Sequence, residues 1–330
     1  MKRMYQVIFL LALLPASRSN AQGQVLTSTP TTSPRAETTL SKAVVRITGT
    51  VEGLEGTINA TGFIVSIPET RLPGNNLVLP YLVTNRHVAK AIMPDASGNP
   101  ISHTIHHMEA IINLKTAVNG TKVHAIDLPP GGTFHWHFPA DASVDLAVLP
   151  FALNDTYDVT PLSPGLFFTE DLWEKFRIVP GDKVMTCGYF VHYAGAHQFQ
   201  PIVREGSLAM VPDDSMSVPI GGTAKVYLAD LHIIPGNSGS PLFLAPAHTL
   251  GGLVTDAQGG SPYGVLGIVS GYMWEDDKLT LHAATDYEGT IHANSGIAMV
   301  VPVEQLKGLF DSPELQHERD VALAEYKKKH

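Results

Sequence analysis

From Ala43 onward the apolar residues fall into short runs, many of them β-branched, broken at close intervals by Gly, Pro, Asn and Asp. Runs of this length bounded by turn residues predict strands rather than helices. One set covers 44–51, 62–67, 77–84, 110–114, 121–126 and 144–149. A second covers 183–190, 201–210, 224–231, 240–244, 264–273 and 296–301. Many short strands with turn signals between them suggest sandwiches or barrels. The intervening 151–180 is rich in Pro, Asn and Asp and reads as a connection between two domains, 42–150 and 181–302. A helical pattern appears only in the tail, 303–330. There 303–310 reads as one helix, and Ser312, Pro313 and Glu314 supply a cap, a first-turn proline and a first-turn acid for another.

The amino-terminal end has a different pattern. Lys2 and Arg3 precede an apolar run from Val7 to Leu14, and Pro15 and small or polar residues follow up to Ala21. This is the order of a secretory signal peptide over 1–21, with cleavage expected near Ala21. The run is shorter than the roughly 20 residues of a membrane span, so stable membrane insertion is not expected. The stretch 22–41 is dominated by Ser, Thr, Pro and Gln, which bury too little to offset the entropy of ordering, and reads as a disordered linker. A secreted or periplasmic location follows from the leader.

Charge and cysteine content narrow the function classes. The formal net charge is −9, and loss of the leader's basic residues makes the remainder more acidic, which disfavours a nucleic-acid partner. The single cysteine, Cys187, excludes an internal disulfide framework, and its apolar neighbours supply no cation to activate a thiol. Stability must then come from burial, which a 44% hydrophobic composition can supply.

Candidate chemistry centres on Ile234-Pro-Gly-Asn-Ser-Gly-Ser-Pro-Leu-Phe243, a glycine-bracketed turn running into an apolar strand. Such a turn can expose Ser238, and Gly236 lets its own N–H and that of Ser238 face one space, where they could hold an oxyanion. A serine hydroxyl needs a base to accept its proton. Of fifteen histidines, His87 has the most informative setting, in Leu-Val-Thr-Asn-Arg-His-Val at a strand end. Asp145, in Val-Asp-Leu-Ala-Val-Leu, opens a strongly apolar run, where a carboxylate is costly unless paired. Paired with the imidazole, it would orient the ring. Asp141 is an alternative orienter, but it sits in a loop before the apolar run.

These three segments, in the order His87, Asp145, Ser238, closely resemble the bacterial secreted trypsin-like serine peptidases, members of the chymotrypsin-like double β-barrel family. The likeness extends through 181–190, 200–206 and 296–302 and spans roughly residues 42–310. It implies an all-β fold of two perpendicular six-stranded antiparallel barrels with a C-terminal helix and the triad in the cleft between the barrels. It further implies that Ser270 supports the triad carboxylate, that Gly271 and Tyr272 pair with substrate backbone, and that His232 lies at the base of the specificity pocket. The implied activity is endopeptidase cleavage of protein or peptide substrates through an acyl-enzyme, with no cofactor and no metal. Activity would rise with pH through roughly 6 to 7 as the imidazole loses its proton.

Departures from the family pattern refine this. Gly271 stands where many members have Trp, Val269 where glutamyl endopeptidases have His, and His232 where trypsin-type pockets have Asp. Strict Glu, Arg or Lys preference is therefore disfavoured, because a buried charge needs a partner. A small or medium apolar P1 residue is expected, which substrate profiling checks. Asn237 replaces the aspartate that pairs with a newly cut N-terminus in the digestive zymogens, so proteolytic activation is not expected. Fewer than about two dozen residues follow Phe310, too few for an appended peptide-binding domain, so a stand-alone peptidase is expected. The sequence does not indicate an oligomeric state.

Residue 240 is Ser, so the Gly-x-Ser-x-Gly elbow of the α/β-hydrolases is not met, and alternating helices are lacking. A catalytically silent secreted binding module on the same fold is the non-enzymatic alternative. His135 and His137 alternate on one strand face with His103, His106 and His107 nearby in sequence, and without a cysteine they read as surface or packing histidines rather than a zinc site.

Overall fold

In the first strand region, Val45, Ile47 and Val51 point inward while Arg46, Thr48 and Thr50 face outward, the period-two pattern of a half-buried strand. The computed structural model describes residues 14–15, 36–53, 57–71, 77–95, 97–128, 136–244, 264–281 and 287–329. The first half carries β1 (Leu14–Pro15), β2 (Val44–Val51), β3 (Thr57–Pro68), β4 (Leu77–Thr84), β5 (Ile92–Pro94), β6 (Pro100–Ser102), β7 (Ile105–Val118), β8 (Thr121–Asp127) and β9 (Ala147–Pro150). Helix α1 (Ala36–Ala43) leads into β2, and the one-turn α2 (Arg86–Ala89) follows β4. The main sheet runs β1-β4-β3-β2-β7-β8, with β9 also on β4 and all pairs antiparallel.

The second half carries β10 (Lys183–Gly188), β11 (Ile202–Met210), β12 (Met216–Ser217), β13 (Thr223–Ala224), β14 (Tyr227–Asp230), β15 (Pro241–Leu244), β16 (Gly264–Leu281) and β17 (Tyr287–Pro302). Six of these close into an antiparallel barrel in the order β10-β11-β14-β17-β16-β15. Helix α3 (Glu170–Phe176) lies in the connection, and α4 (Val303–Phe310) and α5 (Pro313–Lys329) follow the barrel. The fold is thus all-β with one closed six-stranded barrel, a second sheet and C-terminal helices. The first sheet has seven strands instead of the six expected of a barrel, and among the described residues no β8–β9 pair closes it.

Each sheet wraps its own core. Ile47, Ile64, Leu82, Met108, Ile112 and Trp136 fill the first, and Val184, Leu208, Tyr227, Leu242, Leu266 and Val300 the second. A third apolar cluster joins the halves: Phe63, Val83 and Leu146 from the first sheet meet Met185, Phe243 and Ile268 from the barrel, with Leu306 and Phe310 of α4. Burying each such side chain contributes about 1.5–3 kcal/mol, so this seam holds the two halves in one register. Among the described residues no helix is long and apolar enough to cross a membrane.

Three expectations need correction. The linker expected over 22–41 gives way at Ala36 to α1, because Leu40 and Ala43 are fully buried in the seam cluster. The strand expected from 144 begins at Ala147, since the groups around Val144 and Asp145 are engaged by the segment holding α2 rather than by a ladder. Strands β16 and β17 run on together to the pair Leu281↔Tyr287, well past the expected 273 and 296. Of the signal segment, only Leu14–Pro15 is described, paired with Val78 and Leu77; the expected cleavage position near Ala21 lies outside the described residues.

Candidate active site

Strand β4 delivers Asn85, Arg86 and His87 side by side, and all three grip the segment before β9. Asn85 Nδ2 donates to the Asp145 carbonyl at 2.8 Å. Arg86, with 7% of its surface exposed, donates from Nε to the Val144 carbonyl at 3.2 Å and from Nη2 to the Asp141 carbonyl at 2.9 Å. His87 is bound twice by one carboxylate: its backbone N–H donates to Asp145 Oδ1 at 2.9 Å, and Nδ1 lies 2.7 Å from Asp145 Oδ2. Asp145 is itself buried. A carboxylate accepts and does not donate, so Nδ1 carries a proton and Nε2, on the far edge of the neutral ring, is left as the acceptor.

Two opposed effects set the proton affinity of that ring. Burial lowers the His87 pKa, while the Asp145 charge and hydrogen bond raise it; the carboxylate prevails, and the value lies above the ordinary 6.5. Asp141, the alternative orienter, is turned away. Its Oδ1 accepts from the Ser143 N–H at 2.9 Å and from the Ser143 hydroxyl at 2.7 Å.

Ser238 sits half-buried in a turn between Ile233 and β15. Gly236 and Gly239 flank it with φ of +100° and +84°, the left-handed region where glycine is favoured. Space demands glycine at 239 as well: a Cβ there would lie 2.0 Å from the Thr61 carbonyl oxygen and 2.4 Å from Thr84 Oγ1. The turn is therefore pressed against β3 and the end of β4, three residues before His87. The Ser238 carbonyl accepts from the Thr61 N–H at 2.8 Å, and the Gly239 N–H donates to the Val269 carbonyl at 2.8 Å. Asn237 is buried and braces the turn from inside. Its Oδ1 accepts from the Ile234 N–H at 3.0 Å, and its Nδ2 donates to the Tyr189 carbonyl at 2.9 Å.

Chemically, the seam thus offers an oriented imidazole with a free acceptor edge and a serine on a constrained turn of the opposing barrel. Of the remaining expected residues, Ser270 is the one that shares a cavity with Asp145. Its hydroxyl donates to the Met299 carbonyl at 3.4 Å. Val269 is fully buried and apolar. Gly271 and Tyr272 continue along β16, where the Tyr272 ring packs at 4.6 Å on Trp274. His232 is exposed, just after β14.

The histidine-rich segment is dispersed. His107 lies on the surface 3.4 Å from Glu109 and 4.0 Å from Asp127, while His137 is buried between Glu314 and Glu318 of α5, at 3.2 and 3.1 Å. His135 lies outside the described residues. Cys187 is fully buried, which pushes its thiol pKa up to about 12 and leaves it inert as a nucleophile. Residues that the sequence patterns did not single out as part of the site are Thr61, Asn85 and Arg86. Asn85 and Arg86 sit inside the His87 motif, but Thr61 stands on a remote strand with no motif of its own.

The chain matches no protein-family model and no curated protein sequence. Solved structures with a similar chain path include the active form of the Rv3671c protease from M. tuberculosis, at 18% identity over 88% of this chain and 93% of that one, with a TM-score of 0.41. The apo MamO protease domain from Magnetospirillum magneticum aligns at 16% identity over 82% of this chain and 97% of that one, with a TM-score of 0.42. Deg5 aligns at 16% identity over 71% and 81%, with a TM-score of 0.39.

Proposed function

We propose that this chain is a serine endopeptidase that cleaves peptide bonds through Ser238, His87 and Asp145. The observation that carries the reading is the double hold of Asp145 on His87, at 2.9 Å to the backbone and 2.7 Å to Nδ1, which dictates the tautomer that a base acting at Nε2 requires. In the first half-reaction the Ser238 oxygen attacks the peptide carbonyl carbon and its proton passes to His87 Nε2. The oxyanion rests on the N–H groups of Gly236 and Ser238. Collapse breaks the C–N bond as His87 returns the proton to the leaving amine, and water then releases the acyl group from Ser238 by the same path. No step needs a metal or organic cofactor. Substrates are proteins or peptides, reached after export and removal of the leader near Ala21.

A fluorophosphonate probe, which reacts only with an activated serine, provides the test. Labelling of the wild type at Ser238, abolished by Ser238→Ala and reduced at least about a thousandfold in rate by His87→Ala, is the expected result. No labelling of correctly folded wild type would exclude the peptidase and leave a binding module on this fold.

A further inference from the structure

We infer that Thr61, a residue of the opposite sheet, is a positioning residue for the oxyanion turn, an assignment that rests on Ser238 being the nucleophile. Thr61 lies on β3 with no solvent exposure, and each of its polar groups meets the active-site seam. Its hydroxyl donates to the Gly236 carbonyl at 2.7 Å and accepts from the Tyr189 N–H at 2.8 Å. Its N–H donates to the Ser238 carbonyl at 2.8 Å, and its carbonyl accepts from Thr84 Oγ1 at 2.8 Å.

The consequence follows from peptide planarity, because tying one carbonyl sets the direction of the N–H on the same plane. Thr61 holds the Gly236–Asn237 plane by its hydroxyl and the Ser238–Gly239 plane by its N–H. The N–H groups of those planes are engaged too: Asn237 N–H donates to the Ile234 carbonyl at 3.0 Å and Gly239 N–H to the Val269 carbonyl at 2.8 Å. The plane between them is held by the Ser240 N–H, which donates to the Asn237 carbonyl at 3.0 Å and so turns the Ser238 N–H the opposite way. Only the Pro235–Gly236 plane, which carries the second oxyanion donor, takes its orientation through the φ of Gly236, at +100°. The Gly236 carbonyl anchored by Thr61 is the fixed side of that pivot. Without the hydroxyl, a buried acceptor loses its partner and the plane keeps only the Asn237 N–H tie, so the fixed side of the pivot that aims the Gly236 N–H is loosened.

The hydroxyl must both donate and accept, so serine suffices and valine, of the same shape, does not. The experiment compares wild type, Thr61→Ser, Thr61→Val and Thr61→Ala. It measures kcat and KM on a peptide substrate and, separately, hydrogen exchange of residues 234–240. Thr61→Val should lower kcat by at least about tenfold with KM within about twofold, since a misplaced donor is missed mainly in the transition state. Thr61→Ser should restore kcat to within about threefold, and amide exchange in the turn should quicken in Thr61→Val but not in Thr61→Ser. Thr61→Ala serves in the same way if Thr61→Val does not fold. Wild-type kcat and wild-type exchange in either apolar variant would overturn the assignment, as would a loss expressed only in KM. If the wild type neither hydrolyses peptides nor takes the fluorophosphonate, the peptidase reading falls, and the exchange measurement alone still decides whether Thr61 holds the turn.

Discussion

His87 stands under two opposed influences, and their balance sets the pH range in which it could act as the proposed base. Burial disfavours the imidazolium, but Asp145 at 2.7 Å favours it more, so the pKa rises above 6.5. A base must be neutral to accept the serine proton, so kcat/KM should climb about tenfold per pH unit below a midpoint that lies above 6.5 and then level off. A pH–rate profile from 5 to 9 checks this; a plateau already reached at pH 6 would contradict it. The stability effect has the opposite sign. A folded-state pKa above the unfolded value means that His87 stabilises the fold fully below about 6.5 and loses that contribution as pH rises through the raised value. On the proposed reading, activity would be highest where this pair stabilises the fold least. That Asp145 needs a partner was legible in the sequence, because a carboxylate opening an apolar run is costly unless paired, and the resemblance of its segment pointed to His87 as that partner. That Asp145 also binds the His87 backbone, and that Asn85 and Arg86 hold the surrounding carbonyls, depends on where β4 ends relative to β9.

Among the elements, α5 does more than trail the barrel. It packs back against the first half, where Glu314 and Glu318 flank the buried ring of His137, and Arg71 pairs with both Glu69 and Asp320. Burial lowers the His137 pKa, but the two glutamates outweigh it and raise the value above 6.5. The helix is thus tied down while the imidazolium persists. That contribution is complete below the unfolded value and fades as pH rises through the raised folded value. Thermal melts of wild type and His137→Gln should differ by about 2–4 °C near pH 6 and converge by pH 9; a difference unchanged across this range would rule out the ion pair as its cause. Residues 303–310 form a helix as their apolar spacing predicts, and Pro313 opens α5 with the Ser312 hydroxyl accepting from the Leu315 N–H. Where α5 docks was not legible, because His137 and the two glutamates are more than 170 positions apart and no local pattern links them.

At the scale of the whole molecule, two separately cored halves meet across the apolar seam of Phe63, Met185, Phe243 and Phe310, and the proposed active site is assembled on that seam. Asn237 stands where the resemblance places the aspartate that pairs with a newly cut N-terminus, and both ends of its amide are already satisfied, by Ile234 and Tyr189. Preparations beginning at residue 22 and at residue 36 should therefore show the same kcat/KM within about twofold, since a neutral amide gains little from a cation; activity appearing only after trimming to one defined N-terminus would overturn this. Short β-branched runs between turn residues located strands in both halves, and β2 and β4 begin and end where the apolar runs do, because period-two burial is a local property, whereas β3, β7, β16 and β17 run well past theirs. The glycines around Ser238 likewise announced a tight turn, since left-handed backbone favours that residue. Other features belong to the tertiary structure. The helix at Ala36 forms in a polar segment because Leu40 finds the seam, and Thr61 reaches Gly236 only because β3 is pressed against the opposing barrel. Such contacts join residues far apart in the chain, as in the 175 positions between Thr61 and Gly236, and only the packing of one half on the other brings their polar groups within hydrogen-bonding distance.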